Sequence, residues 1–162
     1  ALTFDPVLGP LVAARRAPVI LMHAVATPAT MHDAPVYDDV VIEVYQALAA
    51  RLDAALALGI DRADIMVDPG IGFGKTVAHN LALLARLSVF HGLGVPVLLG
   101  ASRKRFISSI GQEPEPDRRL PGSLAVALNG AAQGVQMVRV HDAADTRQAL
   151  ALWRASTTGE EA

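Results

Sequence analysis

Four short apolar runs, at residues 18–23, 64–67, 95–99 and 135–140, alternate along the chain with stretches of helical periodicity. Strands that alternate with helices pair in parallel, because each helix carries the chain back to the start of the next strand. The first run, Pro-Val-Ile-Leu-Met-His, shows no polar alternation, the mark of a strand buried on both faces. Between residues 37 and 58, apolar residues recur at Val40, Val41, Val44, Leu48, Leu52, Ala55 and Leu56, which is helical spacing. Gly59 stands where a left-handed residue ends a helix. Asn80 is the expected N-cap of a helix reaching about residue 90. A short helix is expected near Arg103, an alanine-rich one over 122–133, and a last one capped by Asp142. A leading helix is expected over about 6–15, a polar surface loop over 111–119, and a frayed tail over 157–162.

This is an α/β pattern, read as one partial domain over residues 1–162. It fits either an open doubly wound sheet or part of a (β/α)8 TIM barrel, and both bind ligands at the carboxyl ends of their strands. His23, Asp68, Ser102, Lys104, Arg139 and His141 all fall at such ends. Several consecutive strands feeding one site favour the barrel. A whole barrel needs about 250 residues, so the four βα units and the leading helix correspond to its C-terminal portion.

With 162 residues, 52% of them hydrophobic and 19% charged, a large core is expected and disorder is not. The net charge of −2 shows no nucleic-acid footprint. The absence of cysteine excludes disulfides and thiolate chemistry and fits a cytoplasmic protein. No apolar run reaches the ~18 residues of a membrane span. The first residues lack a basic segment followed by an apolar one, so no secretion signal is expected, and without a starting Met they read like the middle of a protein.

Two loops carry most of the chemistry. Asp68-Pro69-Gly70-Ile71-Gly72-Phe73-Gly74-Lys75 fails the P-loop, whose first glycine would fall at Pro69, and fails the dinucleotide glycine pattern as well. Three alternate glycines exceed what a simple turn needs and leave a bare backbone that a flat ligand can approach. A carboxylate at Asp68 can accept two parallel N–H bonds from an amino-heterocycle, or can merely cap the loop. Gly100-Ala101-Ser102-Arg103-Lys104 places a basic pair after a buried strand, either solvated or facing an anion. Arg139 and His141 alternate along one strand and so point the same way, a pair suited to phosphate or pyrophosphate. His23 is read as core packing, and His32, His79 and His91 have no metal-ligand spacing.

Taken together, Met22-His23 with Thr27-Pro28-x-Thr30-Met31, the Asp68 to Lys75 loop, His79-Asn80, Gly100-x-Ser102-Arg103-Lys104 and Arg139-Val-His141-Asp142 resemble dihydropteroate synthase of folate biosynthesis. The resemblance covers essentially the whole chain but only the C-terminal part of that family's pterin-binding barrel. It implies a transferase that condenses 4-aminobenzoate with 6-hydroxymethyl-7,8-dihydropterin diphosphate, releases diphosphate and is the sulfonamide target. Asp68 would hold the pterin edge and Lys104 would bridge the two substrates. Gly100 and Met22 would line the pterin slot, while Phe73 and Ser102 would border aminobenzoate. Arg139 would stack on the pterin and, with His141, bind the diphosphate. Catalysis would rest on Asp68, Lys104 and Arg139. The resemblance also implies Mg2+, with its ligand in the family's N-terminal part and none here, and a homodimer. Val25-Ala26 replaces the family's usual Gln-Gly, and Arg105 stands where many relatives have Ser. The alternatives are another pterin-binding barrel, such as a methyltetrahydrofolate methyltransferase, and an inactive half-barrel fragment.

Overall fold

Parallel pairing joins four strands in chain order. In the computed structural model, which describes residue 2 and residues 5–24 and 36–159, β1 (Val19–Met22) lies beside β2 (Ile65–Asp68). Val19 is opposite Ile65 and Met22 is opposite Asp68. β3 (Leu98–Leu99) lies beside β4 (Met137–Val138), with Leu98 opposite Met137. A parallel bridge between Val67 and Val97 joins the two pairs, closed by a bond of 2.9 Å from the Val67 N–H to the Pro96 carbonyl. The order β1-β2-β3-β4 never reverses. A doubly wound sheet reverses at its switch point, so the arrangement is the arc of a barrel.

Helices α1 (Leu8–Arg15), α2 (Val40–Ala57), α3 (Val77–Ala85), α4 (Arg105–Gly111), α5 (Leu120–Ala132) and α6 (Ala143–Thr158) alternate with the strands. Strand residues Leu21, Ile65, Val67, Val97 and Leu99 point to one side and join Val41, Val44, Leu48, Leu83, Leu87 and Phe90 in the core. Alternation sends Ile20, Met22, Met66, Asp68, Leu98 and Met137 to the concave side. There Ile20 and Met137 are each 46% exposed, so β1 is not buried on both faces as its apolar run suggested.

Several local expectations change for identifiable reasons. The helix read over about 37–58 starts at Val40, because Asp39 caps α2 by accepting the Val41 and Ile42 N–H groups at 2.9 and 3.2 Å. Gly59 does take a left-handed φ of +83° just past that helix. Asn80 does not cap α3. Thr76 does, in a capping box with His79, and the chain tightens to a 3-10 stretch over Leu87–Leu93. Asp142 precedes α6 but makes no side-chain cap, because its carboxylate is bound to Arg103. The expected frayed tail is helical as far as Thr158, with Thr157 and Thr158 hydroxyls bonded back to the carbonyls of Trp153 and Arg154. Residues 160–162 lie outside the described residues, as do Val25, Ala26, Thr27, Pro28, Thr30, Met31 and His32.

Phe90 is fully buried against Tyr45, with ring centroids 6.3 Å apart. Phe90→Ala in the complete protein is expected to lower unfolding free energy by about 3–5 kcal/mol, through lost transfer energy and a residual cavity. Denaturant unfolding checks this, and a loss below ~1 kcal/mol would place Phe90 outside the core.

Candidate active site

The Asp68 carboxyl ends β2 and is 3% exposed. Its Oδ1 accepts the Gly70 N–H at 2.7 Å. Gly70 takes a φ of +69°, and a Cβ there would stand 1.8 Å from the His23 carbonyl oxygen. No side chain is possible at that crossing of the loop over the end of β1. At Gly72, with a φ of +81°, a Cβ would lie 2.9 Å from Lys104 Cδ. The bare backbone read from the glycine spacing therefore has two separate purposes, one against β1 and one against Lys104. Asn80, buried at the start of α3, accepts the Gly72 N–H at 2.7 Å and donates to the Thr76 carbonyl at 2.8 Å.

Two lysines reach this loop from different sides. Lys104, at the residue preceding α4, donates to the Ile71 carbonyl and holds its Nζ 4.3 Å from the centre of the Phe73 ring. Lys75 Nζ lies 2.9 Å from His23 Nδ1, 2.9 Å from the Gly70 carbonyl and 3.2 Å from the Phe73 carbonyl. A cleft of about 560 Å³ opens beside the loop, lined by Phe73, Thr76, Asn80, Lys104 and Arg105 among others.

The ends of β3 and β4 are tied to each other twice. Ser102 Oγ lies 3.0 Å from His141 Nδ1 and accepts the His141 N–H at 3.3 Å. Arg103 donates two bonds to the Asp142 carboxylate, at 3.1 and 2.5 Å, and one to Asp117. Arg103 adopts a left-handed φ of +59°, which costs a non-glycine residue energy. It is held there because its N–H donates to Ser123 Oγ at 2.9 Å and its carbonyl accepts Arg119 Nη1 at 2.9 Å. The turn made by Arg103 aims Lys104 at the glycine loop. Arg139 crosses Gly100 so closely that a Cβ there would stand 3.2 Å from the guanidinium Nη2.

Burial and charge pull these groups in opposite directions. Burial pushes the Asp68 carboxyl above the ordinary carboxylate range, while the Gly70 N–H and the charges of Lys104, Arg139 and Lys75 oppose that shift. Burial lowers Lys75 to about 7 and Lys104 to about 8, against the attraction of Asp68. His23 falls to about 4, first through burial and then through the charge of Lys75. The hydrogen bonds from Arg103 hold Asp142 below its usual value.

The strand ends thus bring together Met22, Asp68, Phe73, Gly100, Ser102, Lys104, Arg139 and His141. Met22 is half-buried opposite Asp68, and Arg139 and His141 stay exposed at the rim. Ser102 is buried, with its hydroxyl turned to His141. His23 is a partner of Lys75 rather than simple core packing. The sequence assigns no role to Lys75 and only a helix cap to Asn80; their contacts across the loop reveal what each holds. Among the described residues, no group of three or more His, Asp or Glu is placed to hold a metal ion. No helix among them is long and apolar enough to cross a membrane.

The sequence matches the family described as pterin binding enzyme over residues 1–141. It is 43% identical over 144 residues to dihydropteroate synthase of Escherichia coli strain K12, covering 89% of this chain and 51% of that protein. The fold superimposes on Xanthomonas albilineans dihydropteroate synthase with 4-aminobenzoic acid at a TM-score of 0.89 and 44% identity, covering 96% of this chain and 55% of that one. The TM-score is 0.88 against the Xanthomonas albilineans enzyme in complex with 7,8-dihydropteroate, again at 44% identity, covering 96% of this chain and 55–56% of the solved ones. The chain spans about half the length of the curated relatives it matches. With four parallel strands in barrel order, an acid and a lysine on a glycine loop that a second lysine reaches from the next strand end, and a family match across most of its length, the chain belongs to the pterin binding enzymes.

Proposed function

We propose that this chain supplies the C-terminal part of a dihydropteroate synthase, a transferase joining 4-aminobenzoate to 6-hydroxymethyl-7,8-dihydropterin diphosphate. The observation that carries this reading is the buried carboxyl of Asp68, at a strand end, within the influence of Lys104, Arg139 and Lys75. A flat amino-heterocycle presents parallel N–H donors that a carboxylate accepts in a charge-assisted pair. Met22 and Gly100 line the slot, and Gly100 has no side chain to displace the Arg139 guanidinium that stacks on the pterin. Lys104 stands between the pterin edge and the Phe73 ring, so it meets both substrates. Phe73 and Ser102 border aminobenzoate, Ser102 with a hydroxyl already engaged by His141.

In the reaction, the bond between the pterin methylene carbon and the diphosphate oxygen breaks, and its electron pair leaves on that oxygen. Arg139 and His141, exposed at the β4 end, receive the growing negative charge, the kind of stabilisation that matters most where charge develops. The aminobenzoate nitrogen gives its lone pair to the methylene carbon, forming the C–N bond, and then loses a proton to water. No side chain of this chain needs to become covalently attached. Magnesium, which the resemblance implies, finds no donor set of its own among the described residues. Apart from Asp68, the charged groups around it, Lys75, Lys104 and Arg139, are cationic and suit the diphosphate instead. A homodimer in the cytoplasm is part of the same proposal.

Asp68→Ala or Lys104→Ala in the complete enzyme is expected to lower kcat/KM for the pterin diphosphate at least ~100-fold, because charged hydrogen bonds in a buried site are lost. Wild-type kinetics in either variant would refute the assignment. A second expectation concerns pH. Only the carboxylate form of Asp68 accepts both pterin donors, and burial raises its pKa. Pterin affinity therefore falls on acidification, beginning at a higher pH than for an ordinary aspartate. Titration calorimetry across pH should show this acid limb in the wild type and lose it in Asp68→Asn. An unchanged limb in Asp68→Asn would assign it to another group.

A further inference from the structure

Lys75 is a half-buried amine, lowered to about 7, to which the chemistry above gives no direct part. In its protonated form it has three N–H donors, and three acceptors surround it: His23 Nδ1, the Gly70 carbonyl and the Phe73 carbonyl. His23 must then keep its proton on Nε2, and its lowered pKa leaves it neutral across the physiological range. The two carbonyls bracket a turn, since the Phe73 N–H also donates to the Gly70 carbonyl at 3.2 Å. From the opposite side, Lys104 takes the carbonyl of Ile71, between them in sequence. The turn that carries Phe73 is therefore held between two ammonium groups, one anchored to the end of β1 and one to the start of α4. Tyr37 closes the β1 side, with its ring 6.5 Å from that of His23 and its hydroxyl 3.4 Å from the Gly74 carbonyl. The charged groups facing Lys75 are Asp68 at the end of β2 and Lys104 before α4.

We propose that Lys75 is a positioning residue for the aminobenzoate side of the site. Through His23 it pins the Gly70–Phe73 turn to the end of β1, so that the Phe73 ring and the Ile71 carbonyl stay where Lys104 engages them. This rests on the synthase reading above. The Asp68 backbone is fixed in β2, its carboxylate meets the turn only at the Gly70 N–H, and Lys75 is the smallest of the charges acting on it, so losing the Lys75 ammonium loosens the aminobenzoate border more than the pterin slot. A brace that served only the fold would disturb both substrates alike.

The test uses the complete enzyme. Residues 1–162 contain no cysteine, so Lys75→Cys gives this segment a single thiol; any cysteine elsewhere in the enzyme is replaced by Ser. Alkylation with 2-bromoethylamine before refolding rebuilds a lysine-length ammonium, and iodoethane builds the same chain without the charge. Lys75→Met is expected to raise KM for 4-aminobenzoate at least ~10-fold, the scale of one charged hydrogen-bond set, and KM for the pterin diphosphate less than ~3-fold. The aminoethyl protein should return to within ~3-fold of wild type for aminobenzoate, and the ethyl protein should not. His23→Asn, which removes one of the three acceptors and keeps the lysine, should shift the same KM in the same direction by a smaller factor. Unchanged aminobenzoate KM in both Lys75→Met and His23→Asn would overturn the proposal. So would equal rises in the two KM values, or equal behaviour of the ethyl and aminoethyl proteins. A wild-type enzyme that makes no dihydropteroate would instead overturn the synthase reading itself.

Discussion

The constraint on which the site depends is that β2 is bonded to strands on both sides and ends in Asp68. Parallel pairing leaves all carboxyl ends on one rim. Fixing Met22 opposite Asp68, and Val97 opposite Val67, therefore fixes how far the next two loops stand from that carboxyl. The strand side chains that face the helices are among the most deeply buried in the chain, so the register cannot slip by one residue without turning Leu21, Val67 and Leu99 away from the core. The chemistry on the concave side inherits its geometry from the packing on the other.

That geometry assembles charges that would be costly singly. A buried carboxylate without partners loses several kcal/mol of hydration. Here the Gly70 N–H and the charges of Lys75, Lys104 and Arg139 offset it. The lysines in turn are lowered by burial and by like charge, with Asp68 opposing both effects. A cluster with one acid and several cations carries an excess of positive charge, which a diphosphate would satisfy. The glycine loop is the common element, since both lysines bond its carbonyls and Asn80 bonds its Gly72 N–H.

How much of this was legible in the sequence follows from the range of each interaction. The four strands, Gly59 past α2, and the placement of Asp68, Lys104 and Arg139 at strand ends come from periodicity and chain order, which are local. Asn80 misled because a capping residue is recognised by type and position. The Thr76–His79 box lies one turn earlier, and Asn80 is occupied by a loop eight residues away. Asp142 fits a cap by type and position for the same reason, yet its carboxylate goes to Arg103, 39 residues earlier. Lys75 bonds His23, 52 residues away, and nothing in either neighbourhood signals the partner. The same holds for Ser102 and His141. Residue types could be read one loop at a time; the cross-links between loops exist only once parallel pairing has set the strand ends side by side.

The account is tested most directly by a crystal structure of the complete enzyme with 6-hydroxymethyl-7,8-dihydropterin diphosphate bound. It predicts the pterin amino and ring N–H donors within about 3 Å of the Asp68 carboxylate oxygens, the usual length of a charge-assisted bond. It also predicts the Arg139 guanidinium stacked on the ring and the diphosphate on Arg139 and His141. A pterin seated away from Asp68, or a diphosphate bound by neither Arg139 nor His141, would contradict it.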